Sequence, residues 1–436
     1  MSHIWFLPRL ATSGLALGLS LVTTGCGGAD NKATTTTPSS AVSTSPSPSS
    51  IPASYFGMHE NNAAGINPWP LVTFGSFRGW DAYQIKWSDL EPSRGRYNWA
   101  PLDNYINALN SHGVTDILYT FGHTPSWAAA QDCLPPINNQ DMIDFVAAIA
   151  THANGKIKHW ETWNEPYSTT FWCGSMAQLV TLQNDVYDAV KSIDVTATVH
   201  TPVVGFSSVP NDCNNSAGGT YSIYNFLASN GTSHFDIIDV HMYAYPAGSA
   251  PENSGLWMAN LKCTLNTYGI GAVPIWNTEF SWGLNTYLPN PSDQVAYVAR
   301  SHIYYWSLGI TRSYWYAYNN DTWGTISNGT SLNAAGVAYQ EVYNWMVGAT
   351  MTTPCTVASG VWTCGFRLAN GNIGEAVWLD AFQSASTLSY TPGGSHNKYH
   401  DLTGGTTTFS GSVTISEEPL LLEGAAATLS PIQRPE

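Results

Sequence analysis

The stretch Ile157-Lys158-His159-Trp160-Glu161-Thr162-Trp163-Asn164-Glu165-Pro166 decides how the rest of the chain is read. Ile157 to Trp163 is a short apolar strand candidate, and it ends in Trp163-Asn164-Glu165-Pro166. A second stretch has the same form. Val273 to Thr278 is a strand candidate ending in Trp276-Asn277-Thr278-Glu279-Phe280. In both, a glutamate stands just where a strand stops.

Working outward, six further strand candidates complete a series. They are Tyr55 to Met58, Phe77 to Trp80, Asp116 to Phe121, Thr198 to Val203, Ile237 to Tyr243 and Ser313 to Tyr318. Between them lie apolar residues at helical spacing: Leu102-Tyr105-Ile106-Leu109, Met142-Phe145-Val146-Ile149, Leu179-Leu182-Val186-Val190 and Val295-Val298-His302. Pro101 suits the start of the first helix, and His112-Gly113 its stop. Strand and helix alternating through eight strands predicts a (β/α)8 TIM barrel over residues 51–347. A doubly wound sheet is the alternative, but no Gly-rich dinucleotide or phosphate loop supports it.

After the helical stretch Ala334 to Trp345 the texture changes. Val361 to Thr363, Glu375 to Leu379, Thr387 to Tyr390, Thr406 to Phe409, Ser412 to Ile415 and Pro419 to Leu422 are short runs broken by Gly and Pro. They predict a small antiparallel, β-sandwich-like domain over 348–436.

The bulk numbers exclude some partners. The 15 basic residues face 30 acidic ones, for a net charge of −15. That balance argues against nucleic acid, which needs clustered Lys and Arg. Charged residues make up only 10% of the chain, while Trp and Tyr number 18 and 23. Most of those aromatics are expected to pack the core. Some can serve as flat platforms for sugar rings.

The amino-terminal residues 1–26 read as an export signal, with Arg9 in the positive region and Leu10 to Val22 apolar. The run is too short to span a bilayer comfortably. Val22-Thr23-Thr24-Gly25-Cys26 resembles a bacterial lipobox, departing from it at Thr23. Lipidation of Cys26 would be the one membrane attachment expected. Residues 27–50, rich in Thr, Ser, Pro and Gly, read as a disordered tether. The other six of the seven cysteines suit disulfides in an exported chain. About fifteen pairings of six cysteines are possible; the set favoured here is Cys355–Cys364 across a hairpin, with Cys133–Cys173 and Cys213–Cys263 in the barrel loops. No CxxC-type pair points to a metal. His396 and His400 lack a third ligand, and neither metal nor organic cofactor is expected.

Barrel enzymes place their chemistry at the C-terminal ends of the strands. Glu165 and Glu279 end the fourth and seventh strands, so they share one rim and face each other across it. Cleaving a glycosidic bond with retention needs two carboxyl groups about 5–5.5 Å apart. The pair meets the topological requirement. Glu161, roughly 13 Å down an extended strand from Glu165, is read as structural. Asp236 and Asp239 are set aside in the same way.

At these residues the sequence resembles clan A of the glycoside hydrolases, which carry Asn-Glu-Pro after strand four and a glutamate after strand seven. Within the clan it is most similar to family 39, on Trp160 to Pro166, Thr124-Pro125-Ser126-Trp127-Ala128 and the trailing Glu418-Pro419-Leu420-Leu421-Leu422-Glu423. Family 5, with its cellulases and mannanases, is the nearest rival. The resemblance implies a carbohydrate substrate, with Glu165 as acid/base and Glu279 as nucleophile. Asn164 would bond the sugar 2-hydroxyl, His241 and Tyr243 would lie beside Glu279, and Trp315 would form the floor under the sugar. Arg78, His123 and Trp127 would complete the binding ring. Each has a plainer counterpart. His241 and Trp315 also read as core packing, and Arg78 as a partner of Asp81 or Glu60. A non-catalytic carbohydrate-binding or surface protein on the same scaffold is the competing function. Sugar identity, exo or endo action and oligomeric state are not legible.

Overall fold

The computed structural model describes residues 49–61, 65–207, 209–214 and 218–426. The expected export signal, Cys26 and nearly all of the expected tether lie outside the described residues. The eight expected strands are β1 (Phe56–Met58), β2 (Ser76–Gly79), β3 (Asp116–Thr120), β4 (His159–Glu161), β5 (Thr198–His200), β6 (Ile238–His241), β7 (Ile275–Phe280) and β8 (Ile310–Trp315). They pair in parallel in the order β5-β4-β3-β2-β1-β8-β7-β6. A parallel bridge between His200 and Ile237 joins the two outer strands, so the sheet closes into the expected barrel.

The helices are α1 (Trp87–Leu90), α2 (Ala100–Ser111), α3 (Asn139–Ala153), α4 (Met176–Ile193), α5 (Ile223–Asn230), α6 (Gly255–Thr267), α7 (Pro291–Ser307) and α8 (Ala334–Met346). Their starts follow from local chemistry. Ser175 and Gln178 form a capping box on α4. The Asn290 side chain accepts from the Ser292 N–H, with Pro291 at the first position of α7. On α2 the buried residues are Leu102, Tyr105, Ile106 and Leu109, the periodic set. In contrast, α7 is buried on every side from Val295 to Ser307. A barrel helix normally keeps a polar outer face, but this one is covered by the second sheet.

That sheet belongs to the carboxy-terminal domain. Its strands are β9 (Thr350–Ala358), β10 (Val361–Arg367), β11 (Ile373–Leu379), β12 (Leu388–Tyr390), β13 (His396–His400), β14 (Thr406–Thr408), β15 (Val413–Ile415) and β16 (Leu420–Gly424). Six of them form an antiparallel sheet, β14-β13-β16-β11-β10-β9, and β12 pairs with β15. Two strands carry no clear sequence signal. β9 is Thr-rich and contains Pro354, which an edge strand tolerates. β13 is His-Asn-Lys-Tyr-His, and its polar residues serve Glu423 on the neighbouring β16. His400 Nε2 lies 2.7 Å and Lys398 Nζ 3.2 Å from the Glu423 carboxylate.

A buried ion pair sits on the seam between barrel and sheet. Arg300 of α7 is fully buried and bonds both oxygens of Glu252, at 2.8 and 2.9 Å. The same guanidinium donates to the carbonyls of Ala381 and Asp380, and the Trp378 indole N–H donates to Glu252 at 2.9 Å. All three expected disulfides are formed. Among the described residues no helix is long and apolar enough to cross a membrane.

Candidate active site

Inside the barrel one apolar cluster is Leu118, Ile237, Trp276 and Tyr314, with the Arg312 guanidinium 5.1 Å over the Trp276 ring and paired with Asp116. Elsewhere the lumen is polar, and Arg78 on β2 is its hub. Arg78 is fully buried. Its Nε donates to Thr120 Oγ1 at 3.0 Å, its Nη1 to Glu279 Oε2 at 2.9 Å and its Nη2 to Asn164 Oδ1 at 2.8 Å. Nη2 also pairs with Glu161. The expected partners Asp81 and Glu60 are engaged elsewhere. Asp81 pairs with Lys86 at 2.9 Å, and Glu60 accepts from the Asn319 amide.

Glu161 is therefore closer to the rim than an extended strand would put it. β4 ends at Glu161, so the spacing of about 3.3 Å per residue does not continue to Glu165. One guanidinium touches Glu161, Asn164 and Glu279 together.

Glu165 and Glu279 meet as the topology predicted. One oxygen of Glu165, one of Glu279 and one nitrogen of His241 lie within 4.8 Å of each other. His241 Nδ1 is 2.6 Å from Glu165 Oε1, and its Nε2 is 4.0 Å from Glu279 Oε2. His241 thus contacts Glu165 more closely than Glu279, beside which it was expected. The Tyr243 hydroxyl donates to Glu279 Oε1 at 2.6 Å.

Burial governs the titration of this cluster. It pushes the carboxyls of Glu165 and Glu279 up, against the opposing pull of Arg78. For Glu279, the charge on His241 when it is protonated and the Tyr243 hydrogen bond also work to lower it, while the charge on Glu165 raises it. Burial lowers the His241 imidazole to about 4, so it is neutral near pH 7. Glu165, His241 and Glu279 have the donor types for a divalent cation. However, Glu279 Oε2 already accepts from Arg78 and Glu165 Oε1 already faces His241.

Three other expected binding residues stand apart from the carboxyl pair. Trp315 is fully enclosed, with its N–H donating to Gly324 O and its ring packed on Phe280, Trp282 and His302. It offers no face to a sugar, so the floor assignment is corrected. Successive residues point to opposite sides of a strand. Tyr314 fills the lumen, Trp315 faces the helices, and Tyr316 returns to the mouth. Tyr316 accepts from Asn61 Nδ2 at 3.0 Å, lies edge-on to His59 at 5.0 Å, and is close enough for Glu279 to raise its hydroxyl further after burial has done so. His123 stacks on Trp80, centroids 5.1 Å apart, and bonds Asp132 at 3.1 Å. Trp127 bonds the Glu91 carbonyl and packs with Arg94 and Trp87, away from the cluster.

Tyr316, His59 and Trp323 were not singled out from sequence. Trp323 donates to the Tyr243 hydroxyl at 3.3 Å. Counting two residues on from Tyr314 would have found Tyr316.

Comparison with known proteins finds partial likeness to glycoside hydrolases. The model of glycosyl hydrolase family 10 matches residues 82–186, which include Glu165 but not Glu279. Endo-1,4-beta-xylanase 1 of Gibberella zeae is 33% identical over 95 residues, 21% of this chain and 26% of that protein. Endo-1,4-beta-xylanase B of Thermotoga neapolitana is 27% identical over 135 residues, 28% of this chain and 38% of that protein. Among solved structures, a family 39 glycoside hydrolase of Bacteroides cellulosilyticus WH2 aligns with TM-score 0.67 at 18% identity, covering 86% of this chain and 81% of that one. A GH30 endoxylanase of Clostridium papyrosolvens C71 aligns with TM-score 0.57 at 12% identity, covering 87% and 98%. At those identities the structural likeness concerns the fold, and likeness to family 39 enters by that route alone. The matched segments span 26 to 38% of these curated xylanases.

Proposed function

We propose that this protein is an exported retaining glycoside hydrolase acting on a β-linked polysaccharide of the xylan type. The observation that carries the reading is the meeting of Glu165 and Glu279 oxygens within 4.8 Å. That separation fits the retaining arrangement, about 5–5.5 Å, and falls short of the roughly 6.5–9.5 Å of an inverting pair. The xylan assignment rests on the two glutamates' setting together with the names of the xylanases that match part of this chain.

In this mechanism Glu279 attacks the anomeric carbon while Glu165 gives its proton to the leaving oxygen as that C–O bond breaks. Arg78 and Tyr243 hold Glu279 ionised and aimed, since both donate to it. Burial raises the Glu165 carboxyl, which favours its protonated form. Neutral His241 can accept that proton's hydrogen bond at Nδ1 and present Nε2–H toward Glu279. Once the glycosyl-enzyme forms, the charge on Glu279 is gone, and Glu165 ionises to activate water.

Xylan and aryl glycosides are the test, with NMR of the first-formed anomer. Glu279→Ala should lose about 10⁴-fold or more in kcat. Glu165→Ala should lose about 10²–10⁴-fold on poor leaving groups and retain activity on activated ones. A net-inverted first product, or wild-type turnover by Glu279→Ala, overturns the proposal. The three disulfides fit an oxidising compartment. Export with Cys26 as a lipid anchor is checked by mass spectrometry of the mature amino terminus.

A further inference from the structure

Glu165 lies beyond the regular part of its own strand, since β4 stops at Glu161. Its backbone is left-handed, with φ 38°, a conformation that non-glycine residues adopt only when their surroundings impose it. The chain after it shows what does so. The Ser168 N–H donates to Glu165 O at 2.9 Å, and the N–H groups of Phe171 and Trp172 both donate to Ser168 O at 3.0 Å. This coil is pinned from beneath. The Trp163 indole N–H donates to Phe171 O at 2.9 Å, and the buried rings of Trp163 and Trp172 meet edge to face, 5.3 Å apart. It is pinned at its far end by the Cys133–Cys173 disulfide, reinforced by Cys173 N–H donating to Cys133 O at 2.7 Å. Cys133 sits in the loop after β3, which is closed on itself by Thr124 bonding Leu134 O at 2.6 Å and Asp132 O at 2.9 Å.

We propose that Trp163, Trp172 and the Cys133–Cys173 disulfide are positioning residues for the Glu165 carboxyl. They hold its backbone in the left-handed turn, and the turn aims the acid at His241 and at the leaving oxygen. None of them touches the cluster of reacting groups. The inference rests on the glycosidase reading, and it deepens it by naming what keeps one of the two carboxyls in place.

The experiment compares kcat/KM, which reports the first chemical step, for phenyl and dinitrophenyl β-xylobiosides. The phenol needs a proton to leave and the dinitrophenol does not. Cys133→Ala with Cys173→Ala should lower kcat/KM on the phenyl substrate at least about tenfold, with the dinitrophenyl substrate within about twofold of wild type. The alkaline limb of the phenyl pH profile should move as well. Trp163→Phe keeps the disulfide but removes the indole donor, and should show the same selectivity, so it decides the matter if the double variant does not fold. Cys355→Ala with Cys364→Ala removes a disulfide from the β9–β10 hairpin and should show no leaving-group selectivity. Equal loss on both substrates in Trp163→Phe, or no loss, overturns the positioning role while leaving the glycosidase reading intact. No hydrolysis of either xylobioside, of xylan or of other aryl glycosides by the wild type sinks that reading and this one with it.

Discussion

Two fully buried arginines, Arg78 at the barrel mouth and Arg300 at the seam with the second sheet, hold their carboxylates in different ways. Arg300 faces one carboxylate, Glu252, with two bonds and two further carbonyls, and Trp378 takes up a remaining lone pair. Charge there is balanced one to one. Arg78 serves Glu161 and Glu279 at once, with Glu165 close behind through His241. One guanidinium cannot neutralise three carboxyls, two buried and one partly buried, so part of the cluster must keep a proton. A balanced buried pair ties two layers together. An unbalanced one stores an acid beside a carboxylate, and that is what proton-assisted bond cleavage needs.

Removing each arginine separates the two roles. Arg78→Met and Arg300→Met should each cost about 3–5 kcal/mol, because each leaves a carboxylate buried without its partner. Only Arg78→Met should also lower kcat/KM, on the order of 10²-fold, since Glu279 loses a donor. Urea melts and kinetics at a temperature where both variants are folded measure the two effects. Loss of turnover per folded molecule in Arg300→Met would break the contrast.

The next effect is smaller and concerns neighbouring aromatics at the end of β8, Trp315 within it and Tyr316 just after. Tyr316→Ala should raise KM for xylan about tenfold, the worth of one lost ring face and its hydrogen bond. Trp315→Phe should lower the melting temperature with KM unchanged. The reverse pattern would restore Trp315 as the sugar floor.

A further effect lies in the pH dependence of stability. His302 on α7 is buried between Phe56 and Trp315, bonds Val298 O at 2.7 Å, and is lowered by burial to about 4. The unfolded chain takes up its proton near 6.5 and the folded chain resists until about 4. The unfolded state therefore holds more protons in that window, and stability should fall as pH drops through it. His302→Phe should make the melting temperature fall less steeply between those values. An unchanged slope would show that His302 does not contribute.

Much of the fold was legible in the chain. The alternation of strand and helix, a glutamate shortly after β4 and another near the end of β7 follow from order along the chain, while the three cysteine pairings were one expected set among about fifteen. The exceptions have particular causes. β9 and β13 lack an apolar pattern because one is an edge and the other feeds polar side chains to Glu423. Trp315 was misplaced because Tyr314-Trp315-Tyr316 is aromatic at every position. Alternation leaves no mark on such a run.

By itself the sequence determined which residues stand at the rim, because a strand's end is a local property set by composition and neighbours along the chain. Which way those residues face, and which partners share Arg78, was decided only by tertiary structure. Facing depends on pairing register with strands far away in sequence, as Phe280 pairs with Trp315 and Met58 with Trp315. Sharing a guanidinium depends on the closure of the barrel, which brings β2, β4 and β7 around one lumen.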